Sequence, residues 1–191
     1  MKTIWRVVLP AFFFSVCSVS HAQTREDLSP LMLKTLKQSI AQSSSFADRF
    51  DAEVWLIDMS GRIANLVDDR LERIEILKAV HAQASINQLP TDVVLGLIET
   101  ESHFNRYALS PAGAQGLMQI MPFWKLEIGR PMDNLIDIET NIRYGCTILK
   151  SYLNIEKGDM SKALARYNGS RGKAKYPNKV FKNRAKYMLE E

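Results

Sequence analysis

Apolar residues recur along this chain at intervals of three and four, the spacing of helix faces and not of strands. Phe46, Phe50, Val54, Ile57, Gly61 and Ala64 predict one long helix with those positions on its inner face. Leu71, Ile74, Leu77, Val80 and Ala84 predict a second, reaching about residue 86. It opens at Asp68 and Asp69, whose charges suit the positive end of the helix dipole. Leu89-Pro90-Thr91-Asp92 reads as a turn and N-cap for a third helix, striped by Val94, Leu97 and Ile98. Further helices are expected at 123–128, at 138–154 on Ile142, Cys146, Leu149 and Leu153, at 160–167, and at 178–189. Upstream, Ser29-Pro30 supplies an N-cap and first-turn proline for a short helix that fades in the polar run 42–45. No stretch alternates with period two. The fold class is therefore all-α: a compact helical domain over 67–190, preceded by an N-terminal helical extension over 23–66.

Two features interrupt this pattern. One is Ser110-Pro111-Ala112-Gly113-Ala114-Gln115-Gly116, where small residues permit tight turns and close backbone approach. The other is Glu101, which lies seven, four and three residues beyond Val94, Leu97 and Ile98 and so continues the apolar stripe. Glu99, two residues earlier and about 200° round the helix, points the other way and reads as ordinary surface. The plain account of Glu101 is a helix-end side chain turned to solvent or paired with Arg106. The functional account is a carboxyl kept protonated by desolvation and by the negative end of the helix, fit to act as a general acid.

Composition narrows the field. Lys2 and Arg6, the apolar run 7–19 and Ser20-His21-Ala22 form a secretory signal at 1–22, too short and too broken by Pro10 to span a bilayer. The expected protein is exported. Without the signal only Cys146 remains, on the stripe with Ile142 and Leu149, so it reads as a buried thiol and no disulfide scaffold is possible. The 25 cations fall to 23 against 21 acids, too near balance for a nucleic-acid partner. Their placement is uneven: nine cations and no acid lie between Lys162 and Lys186. That run is either a solvated face or an attraction to a polyanion such as wall polymer or a membrane surface. No zinc-hydrolase, nucleophile-elbow, dinucleotide, Walker or calcium-loop pattern occurs, which leaves carboxylates to carry chemistry.

Three motifs then carry a resemblance. Glu101-Ser102 followed by Ser110-Pro111-x-Gly113-Ala114-x-Gly116-Leu117-Met118-Gln119-Ile120-Met121-Pro122 resembles the signature of family 1 (soluble-type) lytic transglycosylases. Glu139-Thr140-Asn141-Ile142-x-Tyr144-Gly145 and Ala163-Leu164-Ala165-Arg166-Tyr167-Asn168-Gly169 follow in the same order. The resemblance implies a goose-lysozyme-like helical domain that acts on periplasmic peptidoglycan glycan strands as a monomer, with no metal or cofactor. It implies cleavage of the MurNAc–GlcNAc β-1,4 bond to a 1,6-anhydro end, with Glu101 as acid and then base. Ser110 would contact the sugar near the cleavage point, Gln119 and Met121 would line the glycan groove, and the Gly113–Gly116 segment would let the backbone approach the sugar. Tyr167 and Asn168 would close the site near the acid, and Glu139 would be structural. Tyr176 is a weak match to a late tyrosine of the family. Two departures stand out: Tyr167-Asn168-Gly169-Ser170 lacks the alanine usual after the asparagine, and bulky Phe123-Trp124 follows Pro122.

Hydrolysing glycosidases normally pair the acid with a second carboxylate. The residue spacing offers none on Glu101's face, which suits a one-acid mechanism whose nucleophile belongs to the substrate. A hydrolytic goose-type muramidase and a non-catalytic wall-binding protein remain as alternatives.

Overall fold

The computed structural model describes residues 49–189, with side chains from residue 51. The secretory signal, the Ser29-Pro30 helix, Phe46 and the side chain of Phe50 lie outside the described residues. Seven helices are present among those described: α1 Arg49–Arg62, α2 Arg70–Asn87, α3 Thr91–Ser102, α4 Trp124–Ile128, α5 Ile138–Ile155, α6 Met160–Tyr167 and α7 Lys175–Arg184. Two isolated bridges, Leu109 to Gln115 and Gln115 to Ile120, fold the segment between α3 and α4 onto itself. The all-α expectation holds. No described helix is long and apolar enough to cross a membrane.

Local chemistry explains the helix starts. The Asp69 carboxylate accepts from Leu71 N at 2.8 Å, Asp137 from Thr140 N at 2.9 Å, and Asp159 from Lys162 N at 3.0 Å. Each satisfies an amide that a helix N-terminus leaves unpaired. The end of α3 matters most for the site. His103 and Phe104 take left-handed backbone, with φ of 49° and 62°, which turns the chain sharply away just past Glu101.

Three expectations need correction. The inner face of α1 is not the predicted one: Val54 and Ile57 are 52% and 40% exposed, while Ala52, Trp55, Leu56, Met59 and Ile63 are buried. The second set includes the bulkier side chains at helical spacing, so turning it inward removes more apolar area from water. The last helix begins three residues earlier than expected, at Lys175, and ends at Arg184. Glu99 is not surface. It is only 5% exposed, because α3 is buried nearly all round, from Val93 through Thr100. A stripe argument assumes one wet face, and α3 has none over that length.

The core is continuous from α1 through α7, with Leu56, Ile76, Leu97, Leu117, Ile142, Leu149, Leu164 and Val180 all inside it. Helix α7 lies against α3 at unusually short range. A Cβ built on Gly96 would sit 2.6 Å from Arg184 N and 2.8 Å from the Val180 carbonyl oxygen, so only glycine lets the two backbones meet this closely.

Candidate active site

Glu101 sits in the last turn of α3, partly buried where α3, α6 and α7 converge with residues 115–121. Its carboxylate Oε1 accepts a hydrogen bond from the Tyr176 hydroxyl of α7. Burial pushes the Glu101 carboxyl above its ordinary pKa, and the Tyr176 hydrogen bond and the Lys179 charge pull partly back. Burial and the Glu101 charge together push the Tyr176 phenol far above its usual range, so it stays a donor. Arg106 is not its partner. That guanidinium reaches the Ile136 carbonyl at 3.4 Å and Glu75 at 3.9 Å.

The other glutamate of α3 has a different fate. Glu99 Oε2 accepts from Tyr187 Oη at 2.6 Å, and Oε1 takes the Lys186 ammonium. Beside it, Asn183 Nδ2 donates to Thr100 Oγ1 at 3.0 Å, and Arg184 Nε reaches Asp92 at 2.7 Å. Glu99 is thus a paired, enclosed anion that fastens the C-terminal segment to α3. Glu101 is the carboxyl of the two that lacks a cation in direct contact.

The opposing wall is the loop 115–121, and three side chains from three helices fix it. Asn141 of α5, 1% exposed, accepts from Met118 N at 2.7 Å and donates to the Gln115 and Leu135 carbonyls, both at 2.8 Å. Ser102 of α3 donates its hydroxyl to the Leu117 carbonyl at 2.8 Å. Tyr167 of α6 donates to the Met118 carbonyl at 2.8 Å. Met118 itself is buried where Gly145 leaves out a side chain. Tyr167 feels the Glu101 charge, which together with burial raises its phenol pKa. The missing alanine after Asn168 therefore does not keep Tyr167 from the wall beside the acid.

The remaining predicted residues divide by what they touch. Ser110 closes a tight turn, its Oγ accepting from Ala114 N at 2.9 Å. Gly116, at φ 77°, is pressed against Asn141 and the Leu135 carbonyl, so it serves contact with the protein interior. Gln119, at φ 52°, spends its amide nitrogen on the Gly116 carbonyl at 2.9 Å and the Ala108 carbonyl at 3.2 Å. Met121 is half-buried and Asn168 is exposed just past α6. Trp124 packs between Phe123 at 5.2 Å and Tyr152 at 6.4 Å, with Phe123 exposed. Glu139 is exposed on the first turn of α5.

Residue patterns under-read two positions. Tyr176, set aside as a weak match, is the group on the acid. Asn141, quoted only within a motif, is the clamp of the wall. A polar side chain on a helical face otherwise made of Ile138, Ile142, Gly145 and Leu149 was the available signal for Asn141. Cys146 is fully buried as expected, its thiol pushed up to about 12 by burial. Among the described residues no group of His, Cys, Asp and Glu is arranged to hold a metal ion.

Comparison with known proteins agrees with this geometry. The chain is 34% identical over 113 residues to a transglycosylase of Enterobacteria phage PRD1, covering 56% of this chain and 42% of that one. It is 34% identical over 97 residues to the membrane-bound lytic murein transglycosylase C of Mannheimia succiniciproducens, covering 46% and 26%. It is 25% identical over 162 residues to the soluble lytic murein transglycosylase of Escherichia coli K12, covering 79% and 25%. The chain thus spans less than half the length of each. The profile of the Transglycosylase SLT domain matches residues 78–189, which contain Glu101, Asn141, Tyr167 and Tyr176. This chain belongs to the Transglycosylase SLT domain family.

Proposed function

We propose that the protein is an exported, periplasmic peptidoglycan lytic transglycosylase in which Glu101 is the single catalytic acid and base. The observation that carries this is a partly buried carboxyl, raised in pKa and held by Tyr176, beside a glutamate that is already occupied. Protonated Glu101 would give its proton to the oxygen between MurNAc and GlcNAc as the C1–O bond breaks. The sugar's N-acetyl group would stabilise the cationic C1. The Glu101 carboxylate would then take the proton from the C6 hydroxyl as that oxygen bonds C1, closing the 1,6-anhydro ring and restoring the acid. No water is consumed, so the site must position the C6 hydroxyl and need not activate a second nucleophile. Tyr176 would hold the carboxyl in place through both steps, while Lys179 favours its anionic phase.

The glycan would lie along the wall formed by Ser110, Gly116, Gln119 and Met121, with Tyr167 and Asn168 closing over the acid. The domain is read as 67–190, acting as a monomer, with its basic tail attracted to anionic wall polymer or membrane surface. The test is mass analysis of muropeptides released from purified sacculi. Anhydro ends from the wild type and none from Glu101→Gln support the proposal. Hydrolysed ends would instead make the protein a muramidase, and binding without cleavage by either form would make it a wall-binding module.

A further inference from the structure

The nine cations between Lys162 and Lys186 are not one uniform field in the folded chain. Lys162 pairs with Asp159 at 2.8 Å, Arg166 with Glu156, Arg184 with Asp92 at 2.7 Å, and Lys186 with Glu99. Lys179 donates to the Thr100 carbonyl at 3.3 Å. Arg171, Lys173, Lys175 and Lys182 are left exposed and pair with no acid among the described residues. Arg171 and Lys173 lie on the connection from α6 to α7, and Lys175 is the first residue of α7.

That connection is tied to the site at both ends. It leaves Tyr167, whose hydroxyl holds the Met118 carbonyl, and it enters Tyr176, whose hydroxyl holds Glu101. An extended chain covers at most about 3.6 Å per residue, so Lys173 and Lys175 have backbones within roughly 11 Å and 4 Å of that of Tyr176. Charges this near a partly buried carboxyl bias what approaches it.

We propose that Arg171, Lys173 and Lys175 form a cationic rim that binds carboxylates of the peptide stems carried by the glycan. This rests on the transglycosylase reading above. The stem is joined through C3 of the same MurNAc ring whose C1 reacts, so its carboxylates travel with the reacting sugar. The sugar rings themselves are neutral and give three cations nothing to pair with. The rim therefore selects strands by the charge state of their stems, and strands with amidated stems are poorer substrates.

The test uses two synthetic glycan strands of equal length, one with stems bearing free carboxylates and one with those groups as primary amides. The wild type should favour the acidic strand by about tenfold in kcat/KM, mostly through KM, as a few exposed charge contacts together supply. That preference should shrink as salt rises past the Debye screening range. The triple variant Arg171→Gln, Lys173→Gln, Lys175→Gln should treat the two strands alike. Equal rates on both strands by the wild type, or an undiminished preference in the triple variant, would overturn the proposal. So would loss of binding to phosphatidylglycerol vesicles in that variant with strand preference intact, which would assign the rim to a membrane surface. If the wild type cleaves neither strand, the transglycosylase reading fails separately. The rim is then judged by fluorescence anisotropy, where equal binding of the two strands refutes it.

Discussion

Replacing Gly96 by alanine is the sharpest probe of how α7 arms the acid. The new Cβ would meet Arg184 N at 2.6 Å, the Val180 carbonyl oxygen at 2.8 Å and Arg184 Cα at 2.9 Å. All three are backbone atoms of α7, so no side chain can swing aside. Ordinary contact with carbon begins near about 3.5 Å, so the helices must separate by roughly 0.6–0.9 Å. Overpacking of this kind costs about 1–3 kcal/mol, whereas alanine for glycine in a helix interior gains about 1 kcal/mol. The net expectation is a loss of about 1 kcal/mol. The same separation pulls Tyr176 from Glu101, and a misplacement near 1 Å costs up to about 100-fold in rate. Gly61 is the control, a glycine of α1 whose added Cβ would meet nothing within 4 Å. Gly61→Ala should gain up to about 1 kcal/mol and leave turnover unchanged. Urea midpoints by circular dichroism and muropeptide release from sacculi read both effects. If Gly96→Ala is stabilised as much as Gly61→Ala and digests sacculi at the wild-type rate, the close packing of α3 on α7 does not govern the site.

Other consequences are as direct. In Tyr176→Phe the carboxyl loses the hydrogen bond that lowers its pKa, so the alkaline limb of the pH–rate profile should move to higher pH while the maximal rate falls. A limb that stays put or moves down would remove Tyr176 from the mechanism. Because Glu101 is raised in the fold, its share of stability is complete below the unfolded carboxyl pKa and is lost as pH rises through the folded one. Glu101→Gln should flatten that decline as pH rises above the ordinary carboxyl range, read from urea midpoints, while abolishing release of anhydro products. Asn141→Ala strands one amide and two carbonyls inside the wall and should cost about 3 kcal/mol, with activity failing before the far-ultraviolet signal does. Cys146 should resist thiol reagents at neutral pH until the chain unfolds, because burial keeps it a thiol.

How much of this was legible in residue patterns depended on range. Helices with one dominant stripe were readable, because three- and four-residue spacing reports burial on one face. The rule failed on α1, which carries two competing apolar faces, and on α3, which is enclosed nearly all round. Glu101 was singled out by an assumption of one wet face that α3 does not satisfy. The distinction that survives is of partners: Glu99 meets Lys186 and Tyr187, and Glu101 meets a neutral phenol. Those partners come from 75 to 88 residues away, and helical spacing holds no information at that distance. The clamp by Asn141, which reaches 23 and 26 residues back, was hidden for the same reason.

The long reach from Tyr176 to Glu101 also sets an order of events. A chain emerging from synthesis carries the acid, Ser102 and the loop 115–121 well before α7 exists. Until α7 and the residues after it dock, Glu99 lacks its ammonium, Glu101 lacks its phenol, and Phe104 in the left-handed turn lacks the Tyr187 ring. Competence is thus postponed until α7 docks, and any fluctuation that lifts α7 withdraws it. Under the wall-cutting activity proposed above, α7 is the safety catch.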